Sequence, residues 1–407
     1  MLIRGSFVGI FLIRQEVNMR TYFHYFLVLF LIFALFRVPA EALGQTRTEA
    51  PLRIGLEFRE ADDNTSFHIL NENLKHLEKL ANVEFIRADQ NDSGTSSEQS
   101  VYNIEYLLSQ DVDGILFAPT TNQVLPAICR MCEEAKVYWG IYLRSITDKE
   151  IEDFCKSSPY YIGNTYENEE DWAYQLAQSV LKKGYRKFAV LSEAKWDNTC
   201  RLREEGFQKA LMEYPDAQIL TEARSMHTTS DIKENIKSIM QAYPDLDCFF
   251  LAGTKTIGGT EQVLTTIQAM RSTSRISLIA IDFSDKIVDD FHTGILKSAY
   301  GTMQLSLDPY YLAILMINTL KGYPLEESNT SYCIPGALIT SEEQARELSP
   351  VIEDRSLLYF PDDYIQDTLF KWNNPDLDGT QFQKIIDANQ FLESSVSSGN
   401  VSTIVEP

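Results

Sequence analysis

From Leu52 onward the chain repeats one unit, a short apolar strand followed by an amphipathic helix. The strands "RIGLEF", "VEFIRAD", "GILFAP", "VYWGIYL" and "YYIGN" come first, and "FAVLSE", "AQILTEA", "CFFLAG" and "ISLIAID" follow. Helical patterns lie between them, near Phe67 to Ala81, Gln99 to Ser109, Gln123 to Ala135, Glu169 to Lys182, Ile232 to Ala242 and Glu261 to Met270. Near-continuous apolar strands separated by helices of this length are buried on both faces, which calls for βαβ units and parallel sheets. Nine such strands exceed one sheet of ordinary width, and the run divides near Gly163. The expected fold class is therefore α/β, with two Rossmann-like, doubly wound lobes. Ligands of such folds bind beyond the carboxyl ends of the strands. Two facing lobes line a cleft with those ends.

Charge narrows the partners. The formal net charge of −22 argues against binding a phosphate backbone, which depends on clustered Lys and Arg, so no nucleic-acid partner is expected. At the N-terminus, "FLVLFLIFALF" is an 11-residue apolar run, too short to span a bilayer comfortably. Arginines precede it and "AEA" follows, which reads as a secretory signal covering residues 1–42 with cleavage after Ala42. Met19 followed by Arg20 offers an alternative start, and an uncleaved membrane anchor is the alternative to cleavage. No cysteine follows the apolar run, so a lipoprotein is not expected. The six cysteines are too few and scattered for a disulfide framework. Cys129 and Cys132 share a helical face in "PAICRMCEEAK", with no second pair to complete a zinc site, and read as small core residues.

Catalysis has little to stand on. The five histidines form no metal-ligand spacing, and no G-x-S-x-G elbow occurs. "GTKTIGGT" has P-loop-like glycines, but Gly259 stands where the lysine is needed. "NNPDLDGTQ" begins like a calcium loop, yet Ile385 occupies the twelfth position, where a bidentate glutamate belongs. No enzyme activity, cofactor or metal is expected. An exported hydrolase would lack any catalytic constellation.

Longer stretches carry a resemblance. "VEFIRADQND" with "QSVYNIEYLLSQDVDGILFAPT", then "NTCRLREEGFQKAL", "ISLIAIDFS" and "GILKSAYGTMQLSLDPYYLA" stand in the order of successive motifs in one family. The chain resembles the periplasmic sugar-binding proteins of the ribose-binding type, the soluble receptors of ABC importers, over roughly Leu52 to Thr340. The resemblance implies two lobes joined by a three-crossover hinge, with a sugar held between them as they close. On this view the N-terminal lobe takes residues 51–163 and 308–330, and the C-terminal lobe takes 164–307 and 331–345. Residues 346–407 form an extension, ending in "ESSVSSGNVSTIVEP", whose composition reads as disordered.

The same resemblance implies the ligand residues. Phe67 stacks on the ligand, and Asn64 or Ser66 hydrogen-bonds it. Arg144 is retained where the family shows Asp-Arg, but Leu143 replaces the acid, which puts a simple ribose-like ligand in doubt. Arg201 matches the arginine that reaches across the cleft, suited to donate in a fork to paired hydroxyls or a carboxylate. Arg203, two positions on, is expected to be solvated, and Asn198 to cap the helix. Trp196 is a candidate stacking wall, and Asp282 ends its strand as a ligand acceptor. Thr254 and Lys255 replace an Asn-Asp, and Leu307 and Asp308 stand where a glutamine precedes the proline, with Gln304 and Ser306 nearby as substitutes. The expected function is capture of a small polar ligand, a sugar or sugar derivative, by a monomer that then docks on an ABC permease. A membrane sensor kinase or chemoreceptor is the alternative partner. A repressor core of the same fold is disfavoured by the signal and the missing helix-turn-helix.

Overall fold

The computed structural model describes residues 50–58, 65–88, 97–119, 121–254, 259–270, 276–284, 286–302, 306–325, 330–352 and 358–389. Strands β1 (Leu52–Leu56), β2 (Val83–Arg87), β3 (Gly114–Phe117), β4 (Tyr138–Ile141) and β5 (Tyr161–Glu167) belong to one sheet. Strands β6 (Lys187–Ser192), β7 (Gln218–Arg224), β8 (Cys248–Leu251), β9 (Ser277–Ile281) and β10 (Leu296–Gly301) belong to a second. Two late strands complete them: β11 (Thr330–Ile334) pairs parallel to β5, and β12 (Ala337–Ile339) pairs antiparallel to β10. The orders are β11-β5-β4-β3-β1-β2 and β12-β10-β9-β8-β6-β7. Each reverses direction beside its first strand, which puts a switch point between β1 and β3 and another between β6 and β8.

Helices α1 (Thr65–Ala81), α2 (Ser97–Leu108), α3 (Leu125–Ala135) and α4 (Lys149–Lys156) connect the first sheet. In the second half lie α5 (Glu169–Leu181), α6 (Asn198–Leu211), α7 (Thr229–Ala242), α8 (Gly259–Met270) and α9 (Ile287–His292). They are followed by α10 (Leu307–Leu320), α11 (Glu342–Ile352) and α12 (Gly379–Asn389). Local chemistry sets several boundaries. Asp148 accepts from the amides of Glu150 and Ile151 to start α4, and Thr228 and Asp231 form a reciprocal capping box on α7. Lys136 ends α3 in the left-handed conformation. Helices α5 and α6 pack closely because Gly206 has no Cβ; one placed there would sit 1.9 Å from the Glu170 carbonyl oxygen.

Each sheet is covered on both faces. In the first lobe, α1 and α10 cover one face around Leu70, Leu74, Tyr311 and Ile314, and α2 to α4 cover the other around Ile104, Ile128 and Cys155. In the second, α5 and α6 bury Leu176 and Phe207, and α7 to α9 bury Ile236, Ile267 and Phe291. All six cysteines are free thiols; five are buried and Cys333 is half-buried.

The chain crosses between the lobes three times, after β5, between β10 and α10, and between β11 and β12. The crossings do not fall where the sequence divides. Strand β5 stays in the first sheet through Glu167, beyond the expected break near Gly163, and β11 belongs to the first sheet although its residues 331–334 were expected in the second lobe. The C-terminal segment is not an appendage. Ala345 and Ile352 of α11 enter the second lobe's core, whereas Phe360, Ile365, Leu369, Phe370, Leu377, Phe382 and Ile386 enter the first. Polar bonds fix it there: buried Asn318 donates to the Leu369 carbonyl and accepts from the Lys371 amide, and Gln383 exchanges two hydrogen bonds with the backbone of Cys333 on the edge strand β11. The signal reading and the serine-rich tail lie outside the described residues.

Candidate functional site: the cleft and its hinge

The loops after the strands bring the two lobes into contact. After β4 the chain turns at Leu143, whose φ of 57° is unusual for a branched side chain, and runs through Arg144, Ser145 and Thr147. Asn122, at a turn after β3, holds this loop by donating to the Ser145 carbonyl and accepting from the Thr147 amide and hydroxyl. From the second lobe, Asn198 donates to that same Ser145 carbonyl at 3.4 Å. Arg201 donates through Nη2 to the Thr147 hydroxyl at 3.1 Å and to Asn198 Oδ1 at 2.6 Å, and its Nη1 lies 2.5 Å from Glu205. Arg201 thus spans from one lobe to the other while its side chain remains 39% exposed.

Two expectations about this helix are corrected. Asp197, not Asn198, caps α6, accepting from the Cys200 amide at 2.9 Å; Asn198 is the first helical residue and is buried in the inter-lobe contact. Arg203 is not solvated. It is buried and clamped in a fork by Glu169, with Nε–Oε2 at 2.5 Å and Nη2–Oε1 at 3.0 Å, and its Nη1 donates to the Ala252 carbonyl and to Asp282 at 3.3 Å. The helical spacing separates the two arginines correctly, but the buried partner Glu169 comes from the start of α5, which no local pattern reveals.

Of the other expected ligand residues, Asp282 follows β9 directly at a φ of 73°, with its side chain 63% exposed and one oxygen on Arg203. Arg144 is half-buried; its guanidinium donates to the carbonyls of Pro119 and Leu143, and among the described residues no carboxylate forms an ion pair with it. Trp196 is 54% exposed at the turn before α6. Thr254 lies against the start of α8, where a Cβ on Gly259 would come within 2.1 Å of its hydroxyl. Asn64 and Gln304 lie outside the described residues, as does Lys255, and so do the side chains of Ser66 and Phe67 in the first turn of α1. A separate hollow of 280 Å³ in the first lobe, bordered among others by Ser145, Lys156, Asn164 and Ser331, contains none of the expected ligand residues.

Below the cleft mouth, the hinge gathers buried charge that the sequence reading passed over. Glu167 ends β5, Glu169 opens α5, and Asp308 stands in the first turn of α10; all three are under 9% exposed. Burial pushes the Glu167 carboxyl well above the usual range, and Asp308 and Glu169 push it further. Burial lifts Asp308 to about 7, opposed by a hydrogen bond from the Leu143 amide and by Arg144. Burial also raises Glu169 against the pull of Arg203, while burial works against the charge on Arg203 and is outweighed by Glu169 and Asp282. A sequence signal existed in the three acids of "YENEE", but acids at a helix start are ordinarily read as solvated partners of the helix dipole.

Two mostly parallel sheets, three crossings and a cleft at the strand ends match a known pattern. The sequence model of the periplasmic binding protein domain matches residues 59–322, well over half of the chain. The chain belongs to the periplasmic binding protein domain family. Solved structures of the same fold include an ABC transporter solute-binding protein from Actinobacillus succinogenes with bound D-allose, 18% identical, with a TM-score of 0.59 over 73% of this chain and 99% of that one. Another, from Burkholderia graminis in complex with D-arabinose, is 16% identical with a TM-score of 0.60 over 73% and 98% of the two chains. A third, from Bacillus halodurans with bound myo-inositol, is 14% identical with a TM-score of 0.60 over 74% and 99%. No curated protein sequence matches the chain. Membership of the periplasmic binding protein family makes this a binding protein rather than an enzyme and implies a place outside the cytoplasm. Among the described residues no helix is long and apolar enough to cross a membrane.

Proposed function

We propose that this protein is exported by the signal at residues 1–42 and captures a small neutral sugar or polyol by closure of its two lobes, for delivery to an ABC permease. The observation that carries this reading is the bridge from Arg201 and Asn198 to the Ser145–Thr147 loop, which joins the carboxyl-end loops of both sheets. A ligand held by both lobes favours the closed form by its differential contacts. The fold neighbours support the ligand class: D-allose, D-arabinose and myo-inositol share several adjacent hydroxyls and no charge. Arg201, Asp282 and Arg144 provide the polar contacts in this reading, Trp196 and Phe67 the stacking faces, and Asn64, Ser66, Thr254 and Gln304 further hydrogen bonds.

The test is a thermal-shift panel of monosaccharides, polyols and sugar acids on the chain from Leu43 onward. A true ligand at about 100 times its dissociation constant adds about 2.7 kcal/mol of stability, a clear rise in Tm. A well-folded sample unresponsive to every neutral sugar and polyol contradicts the proposal. No observation favours the sensor-kinase alternative.

A further inference from the structure

Arg203 occupies a place suited to gripping a ligand, yet its grip is already taken. Its guanidinium lies at the carboxyl ends of β8 and β9, beside the switch point of the second sheet, where Nη1 donates to the Ala252 carbonyl at 2.7 Å and to Asp282 at 3.3 Å. Gly253 leaves room for this packing: a Cβ there would lie 2.8 Å from Cys200 Sγ and 3.7 Å from Arg203 Nη1. The planar edge formed by Nε and Nη2 is the one that matches the two oxygens of a carboxylate. The protein fills that edge itself, with Glu169 at 2.5 and 3.0 Å. The two side chains are only 8% and 4% exposed, so the pair is closed to a solute.

Asp282 brings a second negative group to the same cation, and unlike Glu169 it meets solvent. What the second lobe shows a ligand at this point is therefore a carboxylate and not a guanidinium. A carboxylate accepts hydrogen bonds from hydroxyls and repels another anion. The neighbouring cations are engaged elsewhere. Arg201 gives Nη1 to Glu205 and Nη2 to Thr147 and Asn198, and Arg144 turns Nε and Nη1 onto the Pro119 and Leu143 carbonyls.

We propose that Glu169 is a specificity-determining residue: by occupying the fork of Arg203 from inside the protein, it leaves Asp282 to face the ligand and makes the cleft reject sugar acids in favour of neutral polyhydroxy compounds. Glu169 touches no ligand and acts through Arg203 and Asp282. The inference rests on the sugar-capture reading of the cleft and names the residue that sets its charge preference.

The experiment compares the parent with Glu169→Gln by calorimetric titration, using D-glucose and D-galactose against D-glucuronate and D-galacturonate. Glutamine keeps the size of the side chain but removes the charge that satisfies Arg203. The parent should bind neither uronate, whereas Glu169→Gln should bind one at least about tenfold more tightly than the parent does. A merely structural role would lower stability without moving that preference. Adding Arg203→Gln to the variant should abolish the gain. Should Glu169→Gln fail to fold, Asp282→Asn, made at an exposed position, removes the other negative group on the same guanidinium and should admit a uronate in the same way. A parent that binds a uronate as tightly as the matching hexose overturns the proposal, and so does a folded variant that gains no uronate binding. A parent silent to every neutral sugar, with a variant that gains a uronate, would instead contradict the neutral-sugar reading and support the role of Glu169.

Discussion

The two lobes share one strand order, β2-β1-β3-β4-β5 in the first and β7-β6-β8-β9-β10 in the second, yet they are completed differently. The second lobe is finished by a short antiparallel edge strand, β12, and by α11. The first takes a sixth parallel strand and then seven buried side chains from residues 358–389, which cover the face built by α1 and α10. At the cleft the roles reverse. The second lobe presents Arg201 and Asp282, with Arg203 and Glu169 buried behind Asp282, whereas the first offers Arg144 and, toward the other lobe, the Ser145 carbonyl and the Thr147 hydroxyl. The fold repeats; the chemistry is divided between the halves.

Removal of residues 358–389 should break the comparison most completely. Each of the seven apolar side chains contributes about 1.5–3 kcal/mol when buried, so the sum rivals the whole stability of a domain, about 5–15 kcal/mol. Hydrogen exchange should then show rapid exchange across β1 to β5 with protection retained in β6 to β10. Equal protection in both sheets would mean that the segment is dispensable.

Arg203→Ala comes next. It leaves Glu169 buried without its partner, which costs about 3–5 kcal/mol and should lower the denaturation midpoint with exchange concentrated in the second lobe. A loss below about 1 kcal/mol, the scale of a surface pair, would contradict the buried clamp. A smaller effect is expected from pH. The Asp308 carboxyl titrates higher in the folded chain, at about 7, than its ordinary 3.8, so its contribution to stability is complete below the ordinary value and is lost as pH rises through the folded one. Asp308→Asn should therefore be more stable than the parent at about pH 8 and flatten the decline between about pH 4 and pH 7 in chemical denaturation; parallel curves would sink it.

The central strands were legible because burial on both faces writes near-continuous apolar runs, as in "CFFL" and "SLIAI". The last strands were not. Polar "TSYCI" and three-residue "ALI" owe their pairing to the edges they meet rather than to their own pattern. The same limit explains the hinge. The position of Arg201 on the mouth of the cleft follows from a strand-to-helix turn, which is local. Burial of Arg203 depends on Glu169, 34 residues away, and the charge on Asp308 depends on two separate crossings. The segment after residue 346 reads as a tail because its apolar residues have no partner nearby in sequence; Ile352 packs in the second lobe instead, and those from Phe360 on pack in the core that α1 and α10 help build.

The most direct measurement is calorimetric titration of a sugar that raises Tm into the parent protein, Arg201→Ala and Asp282→Ala. Capture by both lobes predicts saturable binding at one site per chain, weakened at least about tenfold, or about 1.4 kcal/mol, in each folded variant. Parent-like affinity in both variants would contradict a ligand site at this cleft.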